Sequence, residues 1–183
     1  MVARETPLCE FGRAAPDFLL RGVDGRSYTL MDCRGEHATL VMFICNHCPY
    51  VRASIDRTVA VCNELAPLGL KAVAIMSNDV FAYPDDSVEN MKAFASGHHF
   101  PFPYLYDETQ ETARAYGAVC TPDFFGFNAG LELQYRGRLD EGRTSPPKPG
   151  AKRELFDAMK QIIETGKGPK EQVPSIGCSV KWK

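Results

Sequence analysis

Two cysteines separated by two residues, Cys45 and Cys48, are the side chains of this sequence whose type and spacing best suit chemistry. A thiolate attacks disulfides and peroxides, and a C-x-x-C motif at a helix start can lower a thiol pKa by about one to five units. His47, between them, can add positive charge or shuttle a proton. We therefore predict a redox-active dithiol in which Cys45, expected to be the more exposed, is the nucleophile and Cys48 resolves the mixed disulfide.

Two other interpretations of this motif are open: half of a metal site, or an inert pair packed in the core. A structural zinc site needs four ligands, and no second C-x-x-C or paired-histidine pattern follows Cys48. We therefore predict no metal ligands in this chain and no bound cofactor.

The elements around the motif must place both thiols where a strand meets a helix. Thr39–Ile44 is a continuous apolar run, which predicts a buried central strand. Pro49 suits the first turn of a helix, and apolar residues then recur every three or four positions up to Ala66. Leu70–Met76 predicts a second buried strand. A strand, a helix and a strand in this order favour an α/β fold with a mixed central sheet flanked by helices.

The remaining segments complete this sheet. Val23–Arg26 predicts the turn of an N-terminal β-hairpin, and Asn128–Gly130 the turn of a second hairpin. Between them, Asp85–Ser87 is typical of a helix start. Lys152–Thr165 predicts a last helix, and the Gly- and Pro-rich tail from Gly166 is expected to run over the surface.

A second motif that can take part in the chemistry is Cys120-Thr121-Pro122, just before an apolar strand. Proline belongs at a strand entry, and its peptide bond there can be cis or an ordinary trans bond. Asp17 and Asp79 are candidates for a buried carboxylate that assists proton transfer to the resolving thiol.

Composition narrows the function classes. The formal net charge of -2 argues against a nucleic-acid-binding or membrane-binding surface. The N-terminus lacks a secretory signal, and no apolar stretch is long enough to span a bilayer. Seven cysteines, an odd number at irregular spacing, indicate reduced thiols and a cytoplasmic location.

The chain resembles the thioredoxin superfamily in three of its motifs. These are Ala15–Phe18, the apolar strand that leads into Cys45–Val51, and Thr121-Pro122 followed by a strand. The resemblance is strongest to the redoxin branch, which includes alkyl hydroperoxide reductase/thiol-specific antioxidant-like proteins. It extends over nearly the whole chain, from about Gly12 to Trp182.

The resemblance implies a thioredoxin fold with an N-terminal β-hairpin and an insertion before a cis-proline. It implies a single domain over residues 1–183, with 166–183 as a C-terminal tail. It implies that Pro122 is cis and faces Cys45, and that the Thr121 backbone binds a peptide or thiol. It also places Cys120 near the dithiol, so Cys120 and Cys178 are candidate extra thiols, with core packing as the alternative for each.

The expected activity is that of an antioxidant-type thiol-disulfide oxidoreductase. Its partners would be a disulfide-containing protein or a small thiol substrate, and an external thiol reductant. The first alternative is a peroxiredoxin-like hydroperoxide reductase, although neither Cys45 nor Cys48 ends the P-x-x-x-T/S-x-x-C pattern of peroxiredoxins. The second alternative is a copper-binding redoxin-fold chaperone.

Overall fold

A seven-stranded mixed sheet forms the centre of the protein, whose computed structural model describes residues 3–183. The strand order is β3-β2-β6-β5-β4-β8-β9, and a separate three-stranded sheet has the order β1-β10-β7. The strands are β1 (Ala3–Glu5), β2 (Leu19–Gly22), β3 (Ser27–Thr29), β4 (Ala38–Phe43), β5 (Leu70–Met76), β6 (Tyr104–Tyr106), β7 (Cys120–Thr121), β8 (Asp123–Asn128), β9 (Leu133–Tyr135) and β10 (Ile176–Ser179).

Five α-helices and two short 3-10 turns connect these strands within the described residues. The helices are α1 (Leu30–Cys33), α2 (Pro49–Leu65), α3 (Val88–Gly97), α4 (Glu111–Tyr116) and α5 (Glu154–Thr165), and the turns lie at Ala66–Leu68 and Pro84–Asp86. No helix in the described part of the chain is both long and apolar enough to cross a membrane.

Strand β4 lies inside the sheet, and all six of its residues are buried. It pairs in parallel with β5 and antiparallel with β8, so both of its edges are satisfied. Side chains alternate between the faces of a strand, and β4 therefore contributes to two cores. Leu40 and Met42 pack with α2 and α5, whereas Val41 and Phe43 pack with α1 and α4. The predicted mixed sheet flanked by helices is confirmed.

The C-terminal tail departs from the sequence-based expectation that it runs over the surface. Ser175, Gly177 and Cys178 are buried, and residues 176–179 form β10 in the small sheet between β1 and β7. The Gly and Pro punctuation of the tail gave no sign of this strand, because its partners lie elsewhere in the chain. The tail thereby reaches the region of Thr121, which pairs with Cys178 in the register of β10 and β7.

Candidate functional site

The C-x-x-C motif lies between the end of β4 and the start of α2. Cys48 is the N-cap residue of α2, and Pro49 occupies the first turn with its ring exposed to solvent. Ile44 still donates a backbone hydrogen bond to Ile75 of β5, so the motif begins directly after the sheet. The strand therefore holds one end of the motif and the helix holds the other.

Both cysteine side chains are buried, whereas Cys45 was expected to be clearly the more exposed of the two. Cys45 is 1% exposed and Cys48 is 0% exposed. The expectation came from the general behaviour of such motifs, whereas here neighbouring segments of the fold close over the dithiol.

Thr121 and Pro122 lie directly against the dithiol, and the peptide bond between them is cis. The Cys45 sulfur is 3.4 Å from the Thr121 hydroxyl oxygen. In its thiol form, Cys48 donates a hydrogen bond of 3.1 Å to the Thr121 carbonyl oxygen. These two contacts join residues that are 76 and 73 positions apart in the sequence. The structure thus brings the two motifs together.

The two thiols are coupled through a hydrogen bond between them. This bond is the largest influence on Cys48 and, against the effect of burial, it lowers the pKa of Cys48 to about 5. The same bond, together with burial, raises the pKa of Cys45 well above the ordinary thiol value. The pair therefore loses one proton at low pH and the other only at high pH, as coupled acids do. Cys48 is therefore the more acidic thiol of the pair.

Asp86 is the functional candidate that sequence reasoning missed. Its carboxylate is fully buried and accepts four hydrogen bonds. One oxygen accepts the backbone N–H groups of Asn46 and His47 at 2.8 and 3.4 Å. The other accepts from His47 Nδ1 at 2.7 Å and from the Asn78 amide at 2.8 Å. Asp86 therefore fixes both the backbone and the histidine of the C-x-x-C motif.

The sequence around Asp86 suggested only a helix start. Ser87 does cap α3, because its side chain accepts the N–H of Asn90, but the preceding carboxylate turns inward. The two carboxylates that were considered instead lie elsewhere: Asp17 is exposed and accepts the N–H of Phe18, and Asp79 accepts the N–H of Phe81. No local pattern separates Asp86 from an ordinary capping residue.

His47 is oriented by Asp86 on one side and by Tyr83 on the other. The hydrogen bond to Asp86 raises the pKa of His47, against an opposing effect of burial. The imidazole stacks on the Tyr83 ring, with centroids 5.6 Å apart and an interplanar angle of 7°. Nδ1 is engaged by Asp86, whereas the buried Nε2 has no hydrogen-bond partner among the described residues.

The two candidate extra thiols lie in adjacent strands beside Thr121 and Pro122. Cys120 is buried in β7, which raises its pKa, and its thiol points toward the Pro122 carbonyl oxygen at 3.6 Å. Cys178 is buried in β10, directly opposite Thr121, and burial raises its pKa to about 12.

Metal binding finds partial support in this geometry. Ligand atoms of Cys45, His47 and Asp86 lie within 4.8 Å of one another, which is close enough for a shared cation. Both Asp86 oxygens, however, already accept two N–H groups each. A metal at this position would have to displace bonds that hold the motif in place.

Known proteins resemble this chain at two levels. A crystal structure of an uncharacterized conserved protein from Geobacillus kaustophilus is 46% identical, with a TM-score of 0.94, and covers 100% of this chain and 97% of that one. The curated thiol-disulfide oxidoreductase ResA of Geobacillus thermodenitrificans (strain NG80-2) is 30% identical over 117 residues, which are 62% of this chain. The match spans only 61% of the length of that relative.

More distant similarity defines the fold. The thioredoxin domain of a thiol-disulfide oxidoreductase from Bacteroides vulgatus superposes with a TM-score of 0.65 at 15% identity, covering 84% of this chain and 97% of that one. A match to the AhpC/TSA family extends over residues 11–141, which include both the C-x-x-C motif and the Thr121–Pro122 segment. The chain therefore has a thioredoxin fold and belongs to the AhpC/TSA family of the thioredoxin superfamily.

Proposed function

We propose that this protein is a thiol-disulfide oxidoreductase whose redox pair is Cys45 and Cys48. The observation that carries the proposal is the contact of both sulfurs with Thr121, at 3.4 and 3.1 Å. A thiolate and its proton donor lie side by side there, next to a backbone segment that can align an extended substrate. The name of the Geobacillus thermodenitrificans relative agrees with this class of activity.

The reaction proceeds in two exchanges. The proton shared by the pair moves to Cys48, and the Cys45 thiolate attacks one sulfur of a substrate disulfide, releasing the other as a thiolate. The Cys48 thiol then loses its proton to the released substrate thiolate and attacks Cys45, which releases the second substrate thiolate. The products are a Cys45–Cys48 disulfide, one substrate thiol and one substrate thiolate, which takes its proton from solvent. An external dithiol reductant restores the starting state.

Turnover of a model protein disulfide, with a dithiol as reductant, tests this proposal. Replacing Cys45 with serine removes the nucleophile, and we expect turnover to fall to the uncatalysed rate. Cys62→Ser is a matched control, because Cys62 is buried within α2 and outside the redox pair. Cys45→Ser activity equal to that of Cys62→Ser would sink the assignment.

Trapping experiments test the order of the two thiols. In Cys48→Ser, the first exchange can occur but the second cannot, so a mixed disulfide with the substrate should accumulate on Cys45. Peptide mapping by mass spectrometry identifies the trapped residue. A mixed disulfide that accumulates on Cys48 of the Cys45→Ser variant, and not on Cys45 of Cys48→Ser, would reverse the roles.

A second candidate function is hydroperoxide reduction, and the burial of both sulfurs favours it. A small peroxide needs less displacement of the covering segments than a protein disulfide. In this reaction the thiolate attacks the peroxide oxygen and becomes a sulfenic acid while an alcohol leaves. The other thiol then forms the disulfide and releases water. Stopped-flow oxidation discriminates the two functions, because a rate no faster than that of an unactivated thiol argues against peroxide as the substrate.

A further inference from the structure

Asn46 lies between the two cysteines of the motif and is held by its side chain as well as by its backbone. The buried side-chain amide donates a hydrogen bond of 3.1 Å to the Asp85 carbonyl oxygen. The side-chain oxygen Oδ1 accepts a hydrogen bond of 3.0 Å from the Tyr104 hydroxyl. The backbone N–H donates to the Asp86 carboxylate at 2.8 Å. The residue that begins the turn between the two thiols is thereby fixed at three of its atoms.

Tyr104 reaches the motif from a neighbouring part of the sheet. It is the first residue of β6, which pairs with β5, and β5 in turn pairs with β4, the strand that leads into the motif. Its side chain is 1% exposed, and its ring packs against Phe100 with centroids 5.5 Å apart. Its carbonyl oxygen accepts the backbone N–H of Val23 at 3.0 Å. A fixed backbone and a packed ring therefore present the Tyr104 hydroxyl to Asn46.

The two sulfurs are held on the side of the motif that faces Thr121. This residue contacts the Cys45 sulfur through its hydroxyl at 3.4 Å and the Cys48 sulfur through its carbonyl oxygen at 3.1 Å. A disulfide closes only when both sulfurs and the backbone between them adopt a suitable geometry. Holding two reacting groups in place before they react raises their effective concentration. Sulfurs held by Thr121 and a turn held at Asn46 therefore both favour closure of the disulfide.

We propose that Tyr104 is a positioning residue of the redox pair: its hydroxyl holds the Asn46 side chain and thereby keeps the turn between the two thiols in a shape that favours the disulfide. This inference rests on the proposed dithiol chemistry and deepens it, because it makes β6 part of what sets the reducing strength of the pair. Tyr104 takes no part in the transfer itself. The two thiols lose two electrons and two protons, and the substrate disulfide gains them.

The reduction potential of the pair, measured by equilibration with a dithiol redox buffer, tests the inference without substrate turnover. Tyr104→Phe keeps the ring and removes only the hydroxyl. We expect the disulfide to be favoured about tenfold less, the factor that corresponds to one typical hydrogen bond. The potential should therefore become less negative by about 30 mV.

Tyr116→Phe is the matched control for the lost hydroxyl. Tyr116 is also 1% exposed, and its hydroxyl donates a hydrogen bond of 2.8 Å to the Pro16 carbonyl oxygen. It packs in the core on the other face of β4, away from the two thiols. This variant loses one internal hydrogen bond as Tyr104→Phe does, but its potential should equal that of the wild-type protein.

A double-mutant cycle with Asn46 separates this hydrogen bond from a general loosening of the core. Asn46→Ala removes the acceptor and should shift the potential at least as far as Tyr104→Phe, because the bond to Asp85 is lost as well. Adding Tyr104→Phe to Asn46→Ala should then change nothing further, since the hydroxyl has already lost its partner. If the double variant does not fold, the comparison of Tyr104→Phe with Tyr116→Phe decides alone.

Three results would overturn the inference: an unchanged potential in Tyr104→Phe, a shift of the same size in Tyr116→Phe, or additive shifts in the double variant. Its failure is distinguishable from failure of the proposed function. A wild-type protein in which no Cys45–Cys48 disulfide forms contradicts both. A disulfide that forms with a potential independent of Tyr104 contradicts the inference alone.

Discussion

At the scale of single residues, the site depends on a buried carboxylate that joins three parts of the motif. Asp86 accepts from the backbone of Asn46 and His47, from the His47 ring and from Asn78. Burial alone would raise the pKa of Asp86, but the hydrogen bonds from His47 and Asn78 outweigh it and the pKa is lowered. The carboxylate therefore stays ionised and holds the His47 ring through Nδ1.

Asp86→Asn should lower the pKa of His47, because the hydrogen bond to the Asp86 carboxylate is the main cause that raises it. The raised pKa of His47 adds stability below about 6.5, which is lost as pH rises through the folded pKa. The lowered pKa of Asp86 adds stability above about 3.8, which is lost as pH falls through its folded pKa. The variant should thus lose most stability between these limits, by about 1–3 kcal/mol.

Urea unfolding at several pH values and an NMR titration of the His47 ring measure these effects. Asp79→Asn is the matched control, because Asp79 lies in the same insertion and accepts a backbone N–H of Phe81. A loss of stability in Asp86→Asn that is equal at about pH 5.5 and pH 9 contradicts the pairing with His47.

At the scale of elements, the strand–helix junction and the C-terminal strand have different origins. The junction follows from adjacent sequence: an apolar run ends at Phe43, and Pro49 opens α2. The junction was predictable because the continuous apolar run of the strand and the helical spacing of apolar residues after Pro49 both occur within short segments. Strand β10 pairs with β7, more than 50 residues away, and its own four residues show no alternation that would predict a strand. Its role in the site therefore required the folded chain.

Gly177→Ala should displace β10 from Thr121, because the new Cβ atom would meet the carbonyl oxygen at 2.1 Å. We expect a loss of about 1–3 kcal/mol in the free energy of unfolding, as for other overpacked sites. Disulfide turnover should fall at a temperature where the variant remains folded. Gly97→Ala is the control, since a Cβ there meets nothing within 4 Å. Equal turnover in the two variants would mean that β10 does not support the site.

At the scale of the whole molecule, β4 separates two cores, and Cys45 and Cys48 pack in one of them. Next to the Thr121–Pro122 segment lies a buried ion pair between Asp123 and Arg136, with side chains 0% and 4% exposed. Arg136 also donates to the Gly117 carbonyl oxygen and lies over the Phe125 ring. Asp123 follows Pro122 directly, so this pair holds the other side of the Thr121–Pro122 segment.

Arg136→Leu should cost about 3–5 kcal/mol, because it leaves the Asp123 carboxylate buried without its counter-ion. Burial already raises the pKa of Asp123 to about 6 with Arg136 beside it, and the pKa should rise further in the variant. Arg153→Leu breaks an exposed pair with Glu64 and should cost less than about 1 kcal/mol. Thermal unfolding compares the two, and equal losses would mean that Asp123 is not buried in solution.

The sequence by itself determined the α/β class, the redox thiols as candidates and the second motif at Thr121–Pro122. These depend on the spacing of apolar residues, on the positions of proline and glycine and on the chemistry of cysteine, all of which are visible in short segments. The tertiary structure decided which distant groups complete the site, namely Asp86 at the C-x-x-C motif and β10 opposite Thr121, and it buried both thiols. Their placement depends on strand pairing and helix packing between segments far apart in the chain, and no local pattern encodes those contacts.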